Sequence, residues 1–178
     1  MTALEFIAST LNPGVAWYAA IPGWTIPTDE RARMMLLVIP GQESGYSARI
    51  QGGNGPAHSF YQMERAGGVT GVLTNAMTYK MAMAACAAAT VPANPTQVWG
   101  LMATEKGDNL SVAFARLLLW TDHAPLPAVG DEAGALALYE RVWRPGAISA
   151  GGARAAQART RWSTIYKAAM AAFAGENA

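Results

Sequence analysis

The sequence predicts an all-α fold of about seven helices, with room for one small β-hairpin, packed around a buried central helix. Three observations point there. Apolar residues recur at helical spacing along most of the chain, while runs of alternating β-branched residues are absent. Residues 34–39, Met-Met-Leu-Leu-Val-Ile, are six apolar positions in a row. A helix through them has no polar face and must be covered on every side.

In order along the chain, residues 2–11 read as a first helix, stopped by the breaker cluster Asn12-Pro13-Gly14. Residues 15–27, with Trp17, Tyr18, Trp24 and two prolines, read as an irregular aromatic segment. The central helix is expected to start at Thr28 as N-cap, with Asp29 and Glu30 placed well against the helix dipole. Pro40-Gly41 should kink it or end it early, because proline lacks an N–H and its ring clashes with the preceding turn. Residues 45–68 are rich in Gly, Ser, Asn and Gln and read as a long loop or short hairpin, where function often resides. Helices then follow at 70–89, 95–104, 109–121, 131–143 and 153–174. Leu110, Ala113, Phe114, Leu117 and Leu118 keep i, i+3, i+4, i+7, i+8 spacing. Pro95 after Asn94 suits the first position of a capped helix, and Trp162, Ile165, Tyr166, Ala169 and Phe173 form an apolar stripe.

Composition narrows the function. With 178 residues, 52% apolar and 14% charged, the chain is expected to form one folded domain. A net charge of +1 argues against nucleic-acid binding by bulk electrostatics. Arg154, Arg159, Arg161 and Lys167 gather near the C-terminus and read as a solvated helix face. The single cysteine, Cys86, lies in an Ala-rich run and reads as a small buried residue; with His58 and His123 it makes no zinc pattern, so no metal and no cofactor is expected. The N-terminus lacks the basic start and apolar core of a signal peptide, and no run is long enough to span a bilayer, so no stable membrane insertion is expected.

The chemistry-bearing feature is Glu43-Ser44, where the buried helix gives way to the polar loop. A carboxyl there is either an exposed helix-terminal glutamate or a desolvated acid that keeps its proton near neutral pH. The second is what cleavage of a glycosidic bond needs at its leaving oxygen. Around the pair stand Arg49, Gln51, Gly55-Pro56-Ala57, Tyr61-Gln62-Met63-Glu64, Gly67-Gly68-Val69, Tyr139 and Trp143-Arg144-Pro145-Gly146. Taken in this order, the motifs resemble the lysozyme-like family of lytic transglycosylases and related phage muramidases, over residues 30–146.

That resemblance implies a lysozyme-like fold and cleavage of the glycan strands of bacterial peptidoglycan, with Glu43 as catalytic acid/base. It implies that Ser44 supports the site, that Gln62 lines the cleft, and that Tyr139 hydrogen-bonds the catalytic glutamate. Tyr139 also shares an apolar helix face with Leu136 and Val142 and reads equally as a core aromatic. Tyr46, Phe60, Tyr61 and Trp99 are candidates to stack on sugar rings, though Trp99 sits in an apolar cluster, and His58 is a loop histidine within reach of substrate or incidental to it. Glu64 is the candidate second carboxylate for a hydrolase, or else a capping or ion-pairing residue with Arg49 or Arg65 at hand; Asp108 and Glu105 read as ordinary loop and cap residues. The phage branch implies a virion-associated protein, with other virion proteins as partners, or one delivered from host cytoplasm to periplasm. Two other readings stay open: a virion structural or wall-binding protein without turnover, favoured by Pro40-Gly41, and a cell-wall peptidase.

Overall fold

A computed structural model describes residues 1–53 and 55–176. The fold is all-α with one small hairpin. Among the described residues the α-helical segments are α1 (Ala3–Phe6), α2 (Asn12–Ala19), α3 (Glu30–Ser44), α4 (Thr70–Thr74), α5 (Tyr79–Ala88), α6 (Pro95–Leu101), α7 (Asp108–Trp120), α8 (Glu132–Trp143), α9 (Gly146–Ser149) and α10 (Gly152–Glu176). Strands β1 (Ala57–His58) and β2 (Met63–Glu64) pair antiparallel, Ala57 opposite Glu64 and His58 opposite Met63. None of these helices is long and apolar enough to cross a membrane.

The N-terminal breaker cluster does not break. A π-helical turn, Ile7–Leu11, joins α1 to α2 without leaving helical backbone, and Pro13 sits in the first turn of α2, where a missing N–H costs little. The absent side chain of Gly14 lets α2 close on α7: a Cβ there would lie 2.7 Å from Val112. The irregular aromatic segment therefore starts after Ala19, not at residue 15. The expected helix over 70–89 is divided. Asn75 takes the Met77 N–H on its side chain and Thr78 donates to the Val72 carbonyl, and these local bonds end α4 before α5 begins.

Helix α3 is the axis. Its N-cap is Asp29, whose carboxylate accepts the Ala32 N–H at 3.0 Å; Thr28, one residue earlier, instead shares a hydrogen bond with the Tyr18 hydroxyl. Every residue from Met34 to Gln42 is buried, as six consecutive apolar positions require. The helix neither stops at Pro40 nor shortens before Glu43: it runs to Ser44 and closes on Gly45 in the left-handed region. Two distant hydroxyls explain how. Pro40 has no N–H for the carbonyl of Leu36, and the Tyr61 hydroxyl donates to that oxygen at 2.9 Å. The Tyr46 hydroxyl donates at 3.0 Å to the next carbonyl, Leu37.

Both tyrosines thus belong to the core, where Phe6 packs against Tyr46, Tyr61 and Phe60. Tyr61 is 0% exposed and Tyr46 6%. The expectation that Tyr46, Phe60 and Tyr61 stack on sugar rings is corrected: all three rings are buried in the core, and the two tyrosine hydroxyls serve a proline-interrupted helix. Helix α10 covers α3 with its stripe Trp162, Tyr166, Ala169 and Phe173, and its end is fixed by Glu176, which accepts from Arg33 at 2.7 Å and from Asn12 at 2.8 Å.

Candidate active site

An open cleft of about 1390 Å³ runs between the hairpin lobe and the C-terminal helices. One wall is the hairpin, with Ala48, Ile50, Gln62, Met63 and Glu64; the other is built by α8 and α10, with Tyr139, Trp143, Arg144, Arg154 and Arg161. The last turn of α3 forms its floor and contributes Gln42, Glu43 and Ser44.

The hairpin is held in place from three sides. Arg49 forms a two-pronged ion pair with Asp108 at the start of α7, 2.8 and 2.7 Å, and its guanidinium lies over the Phe60 ring at 4.5 Å. Asp108 is thus more than a cap, and Arg49 is not available to Glu64. The Trp143 indole N–H donates to the Tyr61 carbonyl at 3.0 Å, joining α8 to the hairpin turn. Gln62, in the left-handed region at φ 48°, donates to the carbonyls of Ala48 and Ser59 and so closes the turn from the cleft side. His58 and Trp99 stack at 3.5 Å behind this wall, with His58 Nδ1 2.8 Å from the Trp99 carbonyl, and neither lines the cleft.

At the floor, the Tyr139 hydroxyl donates to Glu43 Oε1 at 2.6 Å. Tyr139 is held rigidly for this, buried on α8 and stacked on Trp162 of α10 at 4.7 Å. It fills both roles read from the sequence, core aromatic and partner of the glutamate. Surrounding protein strips water from the Glu43 carboxyl and pushes its pKa up to about 7; the Tyr139 hydrogen bond and the Arg161 guanidinium pull the other way, and Glu64 adds a little upward. The result is a partly buried acid that exchanges its proton near neutral pH, with one face open to a groove. Ser44 bonds back to the Pro40 carbonyl at 3.0 Å, stabilising the helix end that carries Glu43.

The chain matches no protein-family model, no curated protein and no solved structure. Its function therefore rests on the chemistry of the cleft.

The predicted residues divide clearly. Glu43, Ser44, Gln62, Glu64 and Tyr139 meet in the cleft; Tyr46 and Tyr61 lie behind it. Glu64 is exposed on the hairpin wall and forms no ion pair among the described residues. The other acid on the cleft, Asp122, is already bound by Arg141 at 2.6 Å and by the Ala124 N–H at 2.8 Å. Sequence reasoning misses Arg161, which donates to the Gly41 carbonyl at 3.2 Å and faces Glu43, and Arg154 beside it. The C-terminal basic face is in part a wall of the site; only its placement against α3 reveals this. Among the described residues no group of three or more His, Cys, Asp or Glu could hold a metal.

The Tyr139 bond has a testable consequence. Because it favours the charged form of Glu43, Tyr139→Phe should raise the Glu43 pKa further and move the descending limb of the kcat/KM–pH profile to higher pH. A profile that stays in place would show that the phenol does not tune the acid.

Proposed function

We propose that the protein cleaves the MurNAc–GlcNAc glycan strands of bacterial peptidoglycan, with Glu43 as general acid and then general base. The observation that carries this reading is the Glu43–Tyr139 pair at the floor of an open cleft, with the carboxyl desolvated enough to hold a proton near pH 7. In the first step Glu43 gives its proton to the bridging oxygen as the anomeric C–O bond breaks. The carboxylate so formed then removes a proton from the acceptor that attacks the anomeric carbon. If the acceptor is the muramyl 6-hydroxyl, the product is a 1,6-anhydro sugar and one carboxyl suffices. If it is water, the product is a reducing end, and Glu64 on the hairpin wall is the available second carboxylate. Gln62 and Ser44 keep the hairpin and the helix end in register around the acid.

The non-catalytic reading draws its support from Pro40-Gly41. Against it stands the continuation of helix α3 through that pair, with Glu43 on the cleft.

The test is mass spectrometry of purified sacculi incubated with the protein. Muropeptides with 1,6-anhydromuramyl ends are expected from the first route and reducing muramyl ends from the second. Cut stem peptides on intact glycan, or no released fragments, would overturn the proposal.

A further inference from the structure

The C-terminal wall of the cleft carries a charge pattern that cleavage at Glu43 does not require. Arg154, Gln157, Ala158 and Arg161 line it. Their i, i+3, i+4, i+7 spacing is a single face of α10, laid along the groove. Arg144 joins them from the C-terminal end of α8, where φ 48° and ψ 53° place a non-glycine residue in the left-handed region immediately before Pro145. Such backbone is uncommon outside glycine, and it recurs where a side chain must be aimed at a ligand.

The partners of these side chains are unequal. Arg141, also on the cleft, is neutralised by Asp122, and Arg161 is held by the Gly41 carbonyl beside Glu43. Arg144 and Arg154 have neither an ion pair nor a hydrogen bond among the described residues, and both open onto the groove. The opposite wall offers one free carboxylate, Glu64. The cleft therefore has an excess of positive charge on its α10 side, in a chain whose net charge is only +1. A neutral polysaccharide offers such a wall hydrogen-bond acceptors but no opposite charge.

We infer that the α10 wall is a carboxylate-binding subsite, with Arg154 and Arg144 gripping an acidic appendage of the strand while Glu43 acts on its backbone. This rests on the glycan-cleavage reading and narrows it to strands bearing carboxylates on the muramyl residue. Guanidinium groups suit the task because they stay charged and present paired donors to a planar carboxylate. Two parts of the strand carry that chemistry: the stem, through its own carboxylates, and the lactyl group wherever no stem is joined to it.

The experiment measures binding with full-length protein carrying Glu43→Gln, so that substrate is not consumed. Three ligands are compared: soluble glycan strands with stems, the same strands stripped of stems so that the lactyl carboxylate is freed, and a neutral chitooligosaccharide of equal length. The parent should prefer the carboxylate strands, and added salt should erode that preference. Arg154→Gln should reduce it about tenfold, and the double variant with Arg144→Gln further, as for the loss of charge-assisted hydrogen bonds. Loss for stem-bearing strands alone assigns the stem carboxylates, loss for stripped strands alone assigns the freed lactyl carboxylate, and loss for both means that the two arginines take either. An unchanged preference, or equal weakening toward all three ligands, overturns the inference. Wild-type protein that binds selectively but releases nothing from sacculi would sink the cleavage proposal and leave the subsite standing.

Discussion

Replacing Glu43 by glutamine should lower glycan cleavage by about 10³-fold or more while making the protein more stable above pH 7. The amide keeps the shape of the carboxyl and can still accept the Tyr139 hydrogen bond, but it has no proton to give the leaving oxygen. The stability arm follows from the same burial. In the unfolded chain Glu43 ionises near its ordinary 4.5; in the fold it does so at about 7. Between these values the native state holds a proton that the unfolded state has released, so stability falls as pH rises through this window and levels off above it. The loss at pH 8 is on the order of 3 kcal/mol at most, since partial exposure to the cleft softens it. Wild type should thus be more resistant to denaturant at pH 5 than at pH 8, and Glu43→Gln should lose most of that difference. Asp29, Asp122 and Glu176 are held below their usual range and act at lower pH. A Glu43→Gln variant that still cut sacculi would mean that this carboxyl is not the acid, and one with the pH dependence of wild type would mean that it is not desolvated.

How much of this is legible in the sequence follows from what helical periodicity can and cannot say. The all-apolar run at 34–39 does lie buried on all sides, and the stripe of α7 does face the core, because each depends only on spacing within one element. Pro13 and Pro40 mislead for different reasons. Pro13 falls in the first turn of α2, where a missing N–H costs little; for Pro40 the outcome depends on what donates to the freed carbonyl, and that donor, Tyr61, lies 25 residues away from Leu36. The same fact misplaces Tyr46 and Tyr61: an aromatic in a polar loop looks like a sugar platform until its hydroxyl is seen to be spoken for. Arg161 shows the converse. Its spacing from Arg154 reveals a shared face but not that the face looks onto Glu43. Tyr139 is found through resemblance of motifs, since periodicity alone makes it a core residue, and it is one as well.

The passage of α3 through Pro40 leaves no room for a side chain at Gly41, and Gly41→Val should be strongly damaging to stability near the site. A Cβ there would lie 2.6 Å from Cγ2 of Ile165 on α10 and 2.6 Å from the Tyr46 hydroxyl. Neither neighbour can give way freely. Ile165 is branched and packed against the core, and the Tyr46 hydroxyl is committed to the Leu37 carbonyl. Moving Tyr46 would leave that buried carbonyl without its tyrosine partner, and moving α10 would separate Trp162 from Tyr139 and Arg161 from the Gly41 carbonyl. Glycine costs a helix interior about 1 kcal/mol relative to alanine, so its presence in the axis helix is explained only by this close approach. Overpacking by three carbons is expected to cost on the order of 3 kcal/mol, a fall in Tm of about 6–12 °C for a chain of this size. Activity should fall with it even at temperatures where the variant is folded, because the displaced groups are those that hold Tyr139 and Arg161 against Glu43. A variant melting within about 2 °C of wild type would mean that α10 slides on α3 at little cost. The acid would then owe its position to the hairpin and α8 alone.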